Sequence, residues 1–169
     1  MFIQLQGLMV QEHNVLLLEE AMNGIILPII IKHLLDLYTI KNMKKYKHFL
    51  FYQDPSEIQT DNAYLVYLSD LKSKDEVFCL YKQSLNFPDY FGFNWDAFKD
   101  SLSYLDEWMN KKTILIIHKN MPSMKEEDTK NYLYVLNNIC ETWEKYSDIL
   151  QFSVYFPEIN QDKIRKFFE

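Results

Sequence analysis

From residue 63 onward, apolar positions fall into short unbroken runs separated by stretches in which they recur three and four residues apart. Ala63-Tyr64-Leu65-Val66-Tyr67-Leu68, set off by Asp61-Asn62, has the length and side chains of a buried strand. Ser73 and Glu76 then form a capping-box pair, which predicts a helix with Val77, Leu80, Tyr81 and Ser84 on one side. Pro88 ends that helix, because the residue before a proline disfavours helical geometry. A second helix is predicted over about 94–109. The run Thr113-Ile114-Leu115-Ile116-Ile117 reads as a strand covered on both faces, as in a parallel sheet. Ser123 and Glu126 offer another capping box before a long helix whose apolar face is Tyr132, Leu136, Ile139, Trp143 and Tyr146. A last strand runs from Ile149 to Phe156, and the tail over 163–169 suits one or two weak amphipathic turns.

The order strand, helix, helix, strand, helix, strand predicts an α/β fold: a small three-stranded parallel sheet packed by helices. Before it stands an N-terminal helical and strand extension. Pro28 suits a first helical position, with Ile30, Leu34, Leu37 and Tyr38 at helical spacing after it. The basic run Lys41–Lys47 fits a solvated helix end, and His48–Tyr52 reads as no more than a short apolar stretch. The expected organisation is an extension over 1–60 packed on the domain, a domain over 61–157, and a tail over 158–169.

Composition changes this picture little. Of the 169 residues 48% are hydrophobic, enough for a core, and only three are glycine, too few for many tight turns. The net charge of −6 disfavours nucleic acid or an anionic membrane as the main partner and suits a basic protein. Cys79 and Cys140 have no second cysteine at metal-ligand spacing, so both are expected as buried thiols in a reduced, cytoplasmic protein. No secretory signal pattern opens the chain, and its greasiest run, 24–31, is too short for a bilayer span.

Candidate chemistry concentrates in Phe87-Pro88-Asp89-Tyr90-Phe91-Gly92-Phe93-Asn94-Trp95-Asp96-Ala97-Phe98-Lys99-Asp100-Ser101-Leu102. Gly92 permits a turn that a β-carbon would resist, and Asn94 can cap the following helix. Trp95, Phe98, Leu102 and Leu105 line one side for the core, while Asp96, Asp100, Ser103 and Glu107 form a second stripe. Like charges at that spacing cost a helix about 0.2–0.5 kcal/mol each. Five acids and one lysine lie between Phe87 and Met109. Such a ridge suits a basic partner, though a merely solvated acidic face has the same pattern.

The ordered signature Pro88-Asp89-Tyr90-Phe91-Gly92, Asn94, then Trp95-Asp96-Ala97 resembles that of the barstar family, and the resemblance extends more weakly over the last two-thirds of the chain. Barstar-family proteins are single-domain inhibitors that insert an acidic helix and loop into the phosphate-binding cleft of a ribonuclease. The resemblance implies Tyr90 and Asn94 as loop contacts, Asp96 and Asp100 as charged anchors, and Asp100 as the deeper of the two. Lys99 stands where the family carries a tryptophan, and Phe93 where it carries an acid. The family's last-helix glutamate has two candidates, Glu141 and Glu144. The implied partner is a basic protein, an extracellular-type ribonuclease or nuclease toxin, with no cofactor and no metal. The alternative is a barstar-fold interaction module with a non-ribonuclease partner. An enzyme is the weakest reading: Asp96 and Asp100 suit Mg²⁺ as hard ligands, but His13, His33, His48 and His118 are scattered and no nucleophile or phosphate-loop motif is present.

Overall fold

Long apolar runs become strands here because helices and a loop cover the sheet they build. The computed structural model describes residues 44–169. The helix read after Pro28, the first three residues of the basic run and residues 1–43 in general lie outside the described residues, as do His13 and His33; the rest of the basic run is not the helix end expected, because Lys44–Tyr46 is a strand. In chain order the elements are β1 (Lys44–Tyr46), β2 (Phe49–Tyr52), β3 (Tyr64–Leu68), α1 (Lys74–Ser84), α2 (Trp95–Ser103), β4 (Thr113–His118), α3 (Glu126–Lys145), β5 (Gln151–Pro157) and α4 (Gln161–Arg165). Single 3₁₀ turns lie at Pro55–Glu57, Leu105–Glu107 and Glu158–Asn160.

The sheet order is β1-β2-β5-β4-β3. Strands β2, β5, β4 and β3 run parallel, and β1 pairs antiparallel with β2 at the edge. The expected parallel sheet thus has four strands rather than three. The additional one is Phe49–Tyr52, whose four residues are too few to show a period. Its pairing with β5, Phe49 opposite Val154, is made across the chain and leaves no local mark.

Alternate residues of β3, β4 and β5 (Val66, Ile114, Ile116, Phe152 and Val154 among them) join Phe49, Phe51 and the helices in one core. Leu115 and Ile117 point the other way and pack with Tyr52 and Ile58. Both faces of β4 are therefore buried, as its unbroken run predicts.

Several helix details differ from expectation. Helix α1 is capped by Ser73, whose side chain accepts from the Glu76 N–H, but it buries Val77, Phe78 and Tyr81 and leaves Leu80 exposed. Rotating the face toward Phe78 also exposes Cys79, so only Cys140 is the buried thiol expected of both. Helix α2 ends at Ser103, six residues early, and a 3₁₀ turn carries Leu105 into the core. The capping box at Ser123 does not form: α3 starts after Lys125 with no side-chain cap, because the Ser123 N–H is held by the Leu71 carbonyl at 2.8 Å. Tyr146, just past α3, is exposed.

A polar network crosses the core. His118, at the end of β4, places Nδ1 3.2 Å from the Tyr155 carbonyl and Nε2 2.6 Å from the Tyr132 hydroxyl, which lies 2.9 Å from that of Tyr81. A carbonyl only accepts, so Nδ1 carries the proton, Nε2 accepts from Tyr132, and Tyr132 accepts from Tyr81. Every member is satisfied, which is the condition for keeping polar groups inside.

Candidate functional site

Two aromatic anchors shape the loop before α2. Phe87 and Phe91 are buried with ring centroids 5.1 Å apart, and the Phe91 N–H donates to the Pro88 carbonyl at 3.0 Å. With both neighbours of the turn pinned, Tyr90 is thrown outward and is 83% exposed. Gly92 serves by making room rather than by its dihedral freedom. A β-carbon there would sit 3.1 Å from Asn94 Nδ2, which donates to the Gly92 carbonyl at 3.2 Å. The left-handed residue of the turn is instead Phe93, at φ 48°. Its ring lies 4.9 Å from that of Phe91 and under the Lys82 ammonium, 5.3 Å from the centroid, contacts that offset the roughly 1–2 kcal/mol such a backbone costs.

Asn94 accepts from the Ala97 N–H at 2.8 Å and starts α2. Phe98 then wedges against the rings of Phe78, Tyr81, Phe87, Trp95 and Tyr132. At the far end, Trp143 Nε1 donates to the Leu102 carbonyl at 3.0 Å, satisfying one of the acceptors a helix end leaves open. Helix α2 is therefore held at its start, middle and end. Asn94→Ala is expected to lower folding stability by about 1 kcal/mol, the usual worth of such a cap, measured by urea denaturation. An unchanged midpoint would show that the cap is idle.

The outer surface of this fixed helix is acidic. Asp96 and Asp100 are exposed, and neither has an ion pair or side-chain hydrogen bond among the described residues. Asp100 and Tyr90 line one open cleft of about 470 Å³ between the loop and α2. Asp96 is one turn away on the ridge. Lys99 is exposed but does not line the cleft. Asn94 is occupied in capping. Glu141 is not part of this grouping: it sits on α3, 2.9 Å from Lys145, whose ammonium holds its carboxyl below the usual range. Glu144 is paired with His48 at 2.8 Å. Both last-helix candidates thus have partners within the chain.

Among the cleft residues outside the set chosen from sequence are Ser101, Tyr104, Glu107 and Trp108. Tyr104 stands four residues after Asp100, a spacing that was legible. Glu107 belongs to the acidic stripe but reaches the cleft from the 3₁₀ turn, not from a continued helix. Among the described residues, no three His, Cys, Asp or Glu side chains cluster as metal ligands would, and no helix is long and apolar enough to cross a membrane.

A family model described as Barstar (barnase inhibitor) matches residues 62–155, more than half of the chain and all of this site. No curated protein and no solved structure matches.

Proposed function

The chain belongs to the barstar family, and on that premise we propose that it blocks a basic ribonuclease, in an immunity or antitoxin role, by presenting α2 and the preceding loop to the enzyme's active-site cleft. The observation that carries this reading is the pair of exposed carboxylates, Asp96 and Asp100, on a helix anchored at three points and lacking intramolecular counter-ions among the described residues. Such groups already lie where a binding partner would need them, so little ordering is lost on association. A ribonuclease cleft offers cations arranged for phosphate, and complementary fields speed encounter while penalising other partners. Tyr90 supplies a rigid, amphipathic contact beside Asp100, and Glu141 joins only by exchanging Lys145 for a partner cation.

Titrating the purified protein into assays of small basic ribonucleases tests this reading. Stoichiometric inhibition that weakens steeply with salt is expected. If no such enzyme is inhibited while a different basic protein is captured through α2, the reading becomes that of an interaction module. Lys99, exposed on the same helix where the family carries a tryptophan, is the feature that favours this second outcome.

A further inference from the structure

Strand β3 is an outer strand of the sheet, and its free edge carries none of the usual guards against pairing. It reads Tyr-Leu-Val-Tyr-Leu, without a charge or a proline. The opposite edge strand reads Lys-Lys-Tyr, and lysines at an edge discourage another strand from joining. The loop after β3 does not cover the edge either. Its Leu71 carbonyl is held by the Ser123 N–H at 2.8 Å, which draws that loop to the β4 side.

The β3–β4 ladder decides which backbone groups the edge presents. Leu68 lies opposite His118, and its carbonyl accepts from the Lys119 N–H at 2.7 Å. Backbone groups of alternate residues face the same neighbour, so Tyr64, Val66 and Leu68 bond to β4 while Leu65 and Tyr67 turn their N–H and C=O groups to the open edge. No loop or side chain among the described residues bonds to them. The side chains of both lie on the sheet face away from the helices. Leu65 is half-buried there beside Leu115 and Ile117, and Tyr67 is 67% exposed.

We propose that β3 pairs with the β3 of a second copy of this chain, antiparallel about a twofold axis at Val66, to give one sheet of ten strands, five from each copy. In that register the outward groups of Leu65 meet those of the second copy's Tyr67, twice by symmetry, and each pair exchanges two hydrogen bonds. The two side chains then pack across the junction as an aliphatic–aromatic pair, a favourable cross-strand combination. Beyond the strand Asn62 comes opposite Asp70, so no like charges meet directly. Both of these residues are left-handed, at φ 60° and 40°, so the chain turns away at each end and pairing stops there. A strand from another protein would meet the same backbone groups, but a second copy also brings Leu65 and Tyr67 into register by symmetry. No β3 residue lines the cleft beside α2, so this inference stands apart from the inhibitor reading.

Sedimentation velocity on the full chain tests it. A two-strand contact is smaller than the roughly 1,200 Å² of the least standard interface, so monomer is expected at about 5 µM and mostly dimer at about 500 µM. Amide hydrogen exchange should slow at Leu65 and Tyr67 in the concentrated sample alone. Tyr67→Lys changes an exposed side chain and leaves the fold intact, and it is expected to raise the dimer dissociation constant at least about tenfold, because both cross-strand pairs go together. In a mixture of labelled and unlabelled protein, an isotope-filtered contact between the two Val66 α-protons reports the register, since such directly opposed, non-hydrogen-bonded residues have Cα atoms about 4.5 Å apart. A chain that stays monomeric throughout, a dimer indifferent to Tyr67→Lys, or slowed exchange on a different element would overturn the proposal. Leu65 and Tyr67 amides already protected in the dilute monomer would do so as well, by showing that the edge is occupied within one chain.

Discussion

Asp100→Ala is expected to weaken inhibition of the target ribonuclease by about 30-fold to several thousandfold while leaving the thermal midpoint nearly unchanged. That range corresponds to about 2–5 kcal/mol, the general cost of truncating one partner of a buried, hydrogen-bonded charge pair at an interface. Most of the cost is the partner's cation, which stays buried and loses its counter-charge. Folding should barely notice, because the exposed carboxylate has no partner among the described residues and its removal relieves repulsion from Asp96. Asp96→Ala should act in the same direction more weakly, since Asp96 lies outside the cleft. Inhibition constants paired with melting curves decide the matter. An Asp100→Ala protein that inhibits like the parent would remove α2 from the interface, and one that is grossly unstable would make the carboxylate structural.

The second large effect is a loss of stability in acid. Burial drives the His118 pKa from 6.5 down to about 3, and the hydrogen bond to Tyr155 only partly opposes it. Burial likewise pushes the Tyr132 and Tyr81 hydroxyls upward, so both stay protonated and remain donors. Between about pH 6.5 and 3 the unfolded chain binds a proton at this histidine that the native protein refuses. Stability therefore falls as pH falls through that window, by about 1.4 kcal/mol per unit, or on the order of 5 kcal/mol across it. Against a typical total of about 5–15 kcal/mol this is a large fraction. Asp54, whose carboxyl is held low by its hydrogen bonds to Ser56, works in the same direction. Urea midpoints measured from pH 7 to pH 4 should drop steadily, and the His118 ring proton should show no titration above pH 4. A ring that titrates near 6.5 would mean that the network is open to solvent. Phe98 of α2 packs on both tyrosines of this network, so acid should loosen α2 along with the core.

Much of the site was legible from local pattern. The spacing of Trp95, Phe98 and Leu102 identified the buried side of α2, and Asn94 identified its start. Phe87 and Phe91 lie four residues apart around a proline-led turn, and their burial explains why Tyr90 projects. Less was readable where two elements compete for one group. Ser123 looks like a cap in sequence, yet its N–H goes to Leu71, fifty-two residues away, and the helix begins without it. Leu80 fits the periodicity of α1, but Phe78 offers the larger apolar surface and wins the inward position.

From residue 63 onward the sequence by itself determined which segments are strands and which are helices, because period, caps and breakers act within a few residues of one another. It also placed an acidic ridge on one of those helices. Tertiary structure alone decided that Phe49–Tyr52 becomes the fourth parallel strand, since its partner lies about a hundred residues further on. The same holds for the tautomer of His118, set by a carbonyl on β5 and a hydroxyl on α3. Each of these rests on groups meeting across the folded chain, and hydrogen bonds of that kind have no period to read.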